Sequence, residues 1–483
     1  MGQPFDDSAG MPRSSRSRGS SVEKFVVASW VVFIVVMLGG MALFVMRIAS
    51  SEPVPGASGR VEPGQSAAPG GPSDPPVATA PATALLPDFT FSPEGVFFTP
   101  SPFSPEAAPT VQILKVPEFA GFSAIWGASG RDHRGHVWFG VSTRVHGEAH
   151  LVEFNPDTKT LKDHGSVRDQ LKRLSLWKEG MSQIKIHSRI VQAPDGYLYF
   201  ASMDEQGEAS DGSKNPTHGS YLWRTSPTGA HTWERIATIP QGLIAVSCSG
   251  HKVYALGYHG HILYQYDTKT GSLRSLPVGS VAGHISRNFV TDGRDHVYVP
   301  QLEWEDGRKT KVKVSLVEFD ADLREIASTP LRHYLEGKPA DSHGIIGLTP
   351  LADGSIIFTT HGGLLYRINP PGKGFENLPA QVSELGFLHP QGSKYIATLF
   401  TYDGKSHVMG ISQNGGGFEW VIFDLKTARS LVKPLTIAYP DQRILYRHLL
   451  YGSVARDRNG ACFVVGTDQQ LDQPVVLRLL PPS

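Results

Sequence analysis

Two cysteines in 483 residues leave this chain without a disulfide framework or a thiolate metal site. Cys248 and Cys462 each sit inside an apolar run with no zinc-type spacing around them, so two buried free thiols are expected. Net charge is missing too: 45 basic residues balance 45 acidic ones. That removes the general electrostatic case for binding nucleic acid, and no basic stripe with interleaved aromatics restores it. Lys309, Lys311 and Lys313 read as the solvated face of an extended hairpin. There is no Asn-x-Ser/Thr acceptor, because Asn215-Pro216-Thr217 carries proline in the middle, which favours a bacterial envelope over a eukaryotic surface. Helical periodicity is scarce as well, with Val167 to Lys178 the one amphipathic stretch.

What is present is a repeat. Pro194-Asp195-Gly196 precedes Tyr197-Leu198-Tyr199-Phe200, and Thr291-Asp292-Gly293 leads to His296-Val297-Tyr298-Val299. Ala352-Asp353-Gly354 leads to Ser355-Ile356-Ile357-Phe358, and Arg458-Asn459-Gly460 to Ala461-Cys462-Phe463-Val464. Asp-Gly and Asn-Gly between short apolar runs signal hairpins, since both turn residues tolerate positive φ. About 20 residues later a strand ends in an acidic or Asn-Pro turn, as in Leu151-Val152-Glu153-Phe154-Asn155-Pro156 and Leu263-Tyr264-Gln265-Tyr266-Asp267.

Seven units follow, starting near residues 122, 184, 243, 284, 343, 384 and 447. Their period of roughly 40 to 60 residues is that of four-stranded propeller blades. The expected fold is all-β, a seven-bladed β-propeller over residues 111–483, with six or eight blades as alternatives. The last unit holds only three strands, and proteins avoid an open edge. The segment Val111-Gln112-Ile113-Leu114-Lys115-Val116 is the expected fourth strand.

Ahead of the propeller, residues 1–24 read as a cytoplasmic tail and 25–46 as a transmembrane helix. Phe25 to Met46 carries no charge and is long enough to span a bilayer, whereas a cleaved signal would have a shorter apolar core. Arg13, Arg16, Arg18 and Lys24 precede it and only Arg47 and Arg60 follow closely. The positive-inside rule then places the propeller across a bacterial inner membrane, in the periplasm. Residues 47–110, rich in Pro, Gly and Ala, read as a tether of roughly 40 Å. Phe89, Phe91, Phe97, Phe98 and Phe103 are expected to dock its end on the propeller.

Four histidines, His187, His284, His343 and His448, lie eight to ten residues before a turn Asp, in the first strand of their units or at its start. First strands line a propeller's channel, so these rings could converge. Arg189 shares a strand face with His187, whereas Arg287 and Arg447 would need a bend to reach the channel. One reading makes the histidines hydrogen-bonding caps between blades. The other puts a divalent metal (manganese, zinc or iron) on three imidazoles with an open position. It assigns the metal to His284, His343 and His448, a general base to His187, and carboxylate binding to Arg189. His259, His261, His133 and His136 are expected in solvated turns.

Seven strand-rich units with Asp-Gly turns and strands ending Tyr266-Asp267 or Phe154-Asn155-Pro156 resemble the virginiamycin B lyase and oligogalacturonate lyase type of propeller. The resemblance covers residues 111–483 and is architectural. It implies a histidine-bound divalent metal at the channel mouth, polarising a carbonyl or carboxylate while a base removes the adjacent proton. The expected partner is then an acidic oligosaccharide. The alternative is a non-catalytic propeller binding an envelope protein or glycan. Quinoprotein propellers would repeat Gly-x-x-x-Trp at blade ends, which the units ending Thr270-Gly271-Ser272-Leu273 or Lys373-Gly374-Phe375 lack, and WD-repeat scaffolds would show Trp-Asp, which is absent. A gluconolactonase-type calcium site finds no match in Asp204, Glu205 and Asp211, whose stretch Met203 to Gly219 reads as a long mobile loop.

Overall fold

A computed structural model describes residues 104, 107–116, 121–143, 148–209, 214–257, 261–281, 283–307, 309–335, 339, 343–414, 417–441, 444–445 and 448–481. The expected membrane helix and the tether up to residue 103, with its five phenylalanines, lie outside these residues. Among the described residues, no helix is long and apolar enough to cross a membrane.

Sheet pairing carries the architecture. The described strands form seven antiparallel sheets in chain order. Seven apolar cores then join blade 1 to 2, 2 to 3 and so on, with one core between blades 7 and 1. A row of sheets whose last member packs on its first is a closed ring, so the protein is a seven-bladed β-propeller. The period-2 alternation of a strand shows why every blade has two apolar faces. In Cys462–Asp468 of blade 7, Cys462 and Val464 enter the core shared with blade 6, whereas Phe463 and Val465 enter the one shared with blade 1. Both cysteines are buried, as expected.

The ring closes through chain order reversed. Thr110–Leu114 pairs with Gln473–Leu480, Thr110 opposite Leu480 and Leu114 opposite Val476. It supplies the fourth strand of blade 7, beside His448–Arg456 and Cys462–Asp468. One expected boundary moves. Gln381–Phe387 is the outer strand of blade 5, so the sixth unit does not begin near residue 384. Blade 6 has His407–Asn414, Gly417–Asp424 and Arg429–Leu435. Its inner edge is held by the Phe400–Met409 bridge and by Thr398, whose Oγ1 accepts from Ile411 N at 2.7 Å. A side chain there does the work of a ladder bond, which is why no strand is recorded.

The expected helix forms as Val167–Arg173, with Ser166 as N-cap accepting from Asp169 N at 3.1 Å. It leads from blade 1 to blade 2. Met203 to Gly219 is not a structureless loop: Asp204 N donates to Gly219 O and Thr217 N to Gln206 O, so the hairpin of blade 2 continues outward and carries Glu205.

His150, in Glu148–Asn155 of blade 1, gives a pH prediction. Burial disfavours its charge, but Asp163 at 2.9 Å and Glu148 outweigh that and raise its pKa to about 9. A raised pKa means the stabilisation is complete below the unfolded value near 6.5 and is lost as pH rises through about 9. His150→Gln is expected to cost on the order of 1–2 kcal/mol at pH 6, after discounting for partial exposure. At pH 9.5 the cost should be much smaller. Urea midpoints at the two pH values check this, and equal losses at both would refute it.

Candidate functional site

Blades 2 and 4 break their inner strands where they meet the channel, and the breaks place the side chains. In blade 2 the inner edge is split into Lys185–Ile186 and Val191–Gln192. Ser188 bridges the gap by accepting from Ala201 N at 2.8 Å. Lys185 precedes that gap and His187 opens it. In blade 4 only Val290–Thr291 is a ladder strand, and the residues before it bend. Ser286 Oγ donates to Asn288 O at 2.6 Å and accepts from Ile345 N at 3.1 Å, while Arg287 N donates to His343 O at 2.9 Å. Gly344 makes this close approach feasible: its φ is +65°, and a Cβ there would lie 2.3 Å from Tyr334 Oη and 2.6 Å from Ser286 Oγ.

The bend sends Arg287 across the ring. Its Nη1 donates to Trp126 O of blade 1 at 3.3 Å, and its Cζ lies 4.7 Å from the ring centre of Tyr451 of blade 7. Lys185 Nζ sits 4.1 Å from the Trp126 ring centre and pairs with Glu205 at 2.5 Å. The Trp126 and Tyr451 rings are 5.7 Å apart. Next to Arg287, His343 packs against His361 at 5.6 Å and Tyr395 at 6.0 Å. Two cations, each over an aromatic face, thus share the channel with imidazoles.

His187 and His343 are held neutral. Burial pushes the His187 pKa well below its ordinary value, and Arg287 and Lys185 push the same way. His343 falls to about 3, from burial, then Arg287, then His361. Lys185 is lowered by burial, against the opposing pull of Glu205. Two buried polar atoms, His187 Nδ1 and Arg287 Nε, have no hydrogen-bond partner among the described residues. Arg287 has no carboxylate partner among them either. A part-buried guanidinium with no carboxylate partner among the described residues suits an incoming anion.

His187 and His343 come close enough for their charges to act on one another, while of the expected metal set His284 has other partners. His284 is fully buried, and both its ring nitrogens are engaged, Nδ1 with Ser280 Oγ at 2.7 Å and Nε2 with Tyr334 Oη at 2.8 Å. It also stacks on His261 at 3.8 Å, which is the blade-bridging role. His448 begins the inner strand of blade 7, but its side chain lies outside the described structure. Arg189 sits half-buried in the gap of blade 2; the cations acting on His187 are Arg287 and Lys185. Two histidines expected in solvent are buried, His261 against His284 and His136 against Glu153. Lys185 was legible, since it stands two residues before His187, on the same strand face.

Two further carboxylate-histidine groups have ligand-like spacing: Asp132, His136 and Glu153 in blade 1, and Asp292, His296 and Glu318 in blade 4. Each already contains its cation. Arg294 Nη2 lies 2.6 Å from Asp292 and 2.8 Å from Glu318, and Arg134 Nη2 makes the same pair of contacts at 2.6 and 2.8 Å. Blades 2, 5 and 7 solve the problem the other way round. They place Arg224, Arg367 and Arg478 where blades 1 and 4 have the glutamate, and Arg367 and Arg478 pair directly with the turn residues Asp353 and Asp457. With an arginine already standing where a cation would, these groups act as hairpin locks.

No protein-family model matches the chain, and no curated protein matches it. Among solved structures it is similar to the Myceliophteria thermophila Cps50 (Swd1) β-propeller domain, at 10% identity over 76% of this chain and 99% of that one, TM-score 0.45. It is also similar to Kuenenia stuttgartiensis hydrazine synthase, at 11% identity over 75% and 99%, TM-score 0.45. A third is the β-propeller domain of the Trilobed protease from Pyrococcus furiosus, at 11% over 74% and 94%, TM-score 0.41. Likenesses this distant add nothing to the blade topology above and say nothing of activity.

Proposed function

We propose that this protein is a ligand-binding propeller that captures a carboxylate of an acidic oligosaccharide at its channel, at the surface of a bacterial inner membrane. The observation that carries the reading is Arg287. Its guanidinium is seated on Tyr451, flanked by neutral imidazoles, and lacks a carboxylate partner among the described residues. A guanidinium offers a carboxylate two parallel donors, and the Trp126 and Tyr395 rings, less buried, offer apolar faces to a sugar. The uncharged run Phe25 to Met46 supports the membrane location, with the propeller on the periplasmic side.

The second reading is a lyase that removes a proton next to that carboxylate. It is favoured by His187, whose neutral imidazole with an unpartnered Nδ1 is in the form a base requires. A divalent metal finds less support. With His284 committed to Ser280 and Tyr334, only His343 and His448 remain of the proposed set, fewer than the three protein ligands usual at a catalytic zinc. The neighbouring Arg287 also repels a second cation.

Calorimetric titration of the full chain with galacturonate oligomers tests the binding reading. Arg287→Met is expected to weaken binding about tenfold to a hundredfold, the worth of a charge-assisted hydrogen-bond pair, and neutral galactose oligomers should not bind. Unchanged affinity in the variant would sink the proposal. Appearance of an unsaturated product, lost in His187→Gln, would favour the lyase.

A further inference from the structure

Lys185 and Arg287 repeat one design. Each is a cation laid over an aromatic ring in the channel, Lys185 over Trp126 at 4.1 Å and Arg287 over Tyr451 at 4.7 Å. The two rings are neighbours, 5.7 Å between centres. The cations differ in one respect. Arg287 has no carboxylate among the described residues, while Lys185 holds Glu205 at 2.5 Å. Glu205 does not belong to the channel wall. It stands on the outward continuation of the blade 2 hairpin, with its side chain 36% exposed against 12% for Lys185. A largely buried ammonium is therefore met by a carboxylate reaching in from the solvent side, as a ligand would.

We infer that Lys185 and Arg287 are two adjacent carboxylate subsites, and that Glu205 occupies the Lys185 subsite as an intramolecular stand-in until a ligand with a second carboxylate displaces it. This rests on the reading of Arg287 as a carboxylate binder. A ligand with one carboxylate takes Arg287 and leaves the Lys185–Glu205 pair intact. A ligand with two, on neighbouring units, takes both and releases Glu205 to water, where its charge is solvated at little cost. Glu205 thereby sets the protein's discrimination between one-carboxylate and two-carboxylate ligands.

The test compares galacturonate with digalacturonate on the full chain, read as the ratio of their affinities. Removing the competitor by Glu205→Gln should raise the dimer-to-monomer ratio about threefold, the worth of a part-exposed ion pair. Removing the subsite by Lys185→Met should bring the ratio down toward one. Thermal melting shows whether each variant is folded, and Glu205→Gln, altered at an exposed position, keeps the test open if Lys185→Met does not fold. A ratio that Glu205→Gln leaves unchanged or lowers overturns the inference, even where Arg287→Met abolishes binding of both sugars. If the unaltered chain binds neither sugar, the carboxylate reading of Arg287 fails and this inference falls with it.

Discussion

Arg294→Met is expected to cost the propeller about 3–5 kcal/mol, the penalty for removing one partner from a buried ion pair. Asp292, His296, Tyr298 and Glu318 are all buried, and the Arg294 side chain is only 8% exposed. Arg294 reaches Asp292, Glu318 and Tyr298 at once, and its Nη1 also donates to Glu376 O and Leu378 O of the neighbouring blade. With methionine there, Asp292 and Glu318 face one another in a low-dielectric site, with Tyr298 and His296 as the remaining donors. Burial already acts to raise the Glu318 pKa, and His296, Ala380 N and Arg294 hold it down. Losing Arg294 removes one of the groups that hold the Glu318 carboxyl down, so its pKa moves up in the variant. The deficit is then full at neutral pH and shrinks as pH falls and Glu318 takes up its proton. Urea unfolding followed by tryptophan fluorescence at pH 7 and pH 5 measures both effects. Arg134→Met should lose less, because Arg134 is 28% exposed and Glu153 keeps His136 at 2.6 Å and His164 at 2.7 Å. A loss under about 1 kcal/mol for Arg294→Met would show that the lock is not a stabilising device.

Gly130→Ala is the second large effect. Gly130 bridges to Ile190 where the inner strands of blades 1 and 2 meet. A Cβ there would stand 1.6 Å from Ile190 O and 2.8 Å from Ile190 Cβ. The obstruction is backbone, which cannot rotate away, so the two blades must part by more than an ångström. Parting them opens the core formed by Ala128, Trp138, Ile186, Ile190, Leu198 and Trp223. Overpacking in a core costs about 1–3 kcal/mol, and a rigid obstacle belongs at or above the top of that range. Gly372→Ala, with nothing within 4 Å of the added carbon, is the control and should change stability by less than about 0.5 kcal/mol. Equal melting temperatures for the two variants would refute the close-approach argument. Because His187 lies three residues before Ile190, a folded Gly130→Ala should also bind its ligand more weakly.

The blades were legible because hairpins advertise themselves locally. Asp195-Gly196, Asp353-Gly354 and Asn459-Gly460 sit at turns whose glycines have φ between 82° and 87°. The closing strand followed from counting strands in the last unit. The border of blade 6 was not legible, since nothing local distinguishes the outer strand of one blade, Gln381–Phe387, from the first strand of the next. His187 and His343 reach the channel, but one bend in blade 4 turns His284 into the wall and brings Arg287 inward instead. Such a bend depends on Ser286 finding Ile345 of another blade, and no window of sequence contains that contact. The locks were within reach: Asp-x-Arg-x-His recurs at 132–136 and 292–296. What hid them was the partner glutamate, which arrives a full strand later.

The pairing of Thr110–Leu114 with Gln473–Leu480 also has a consequence in time. Gln112 and Arg478, hydrogen-bonded in the closing blade, are 366 residues apart. At ribosomal rates of about 5–20 residues per second, Gln112 waits roughly 20 to 70 s for its partner to be made. For that interval the alternating apolar strand Thr110–Leu114 is an orphan edge, open to pairing with any other nascent strand. Every other blade assembles from neighbours in sequence. The slow, vulnerable event in this protein's biogenesis is therefore the last one, and holding the first-made strand apart until then is a task for a chaperone.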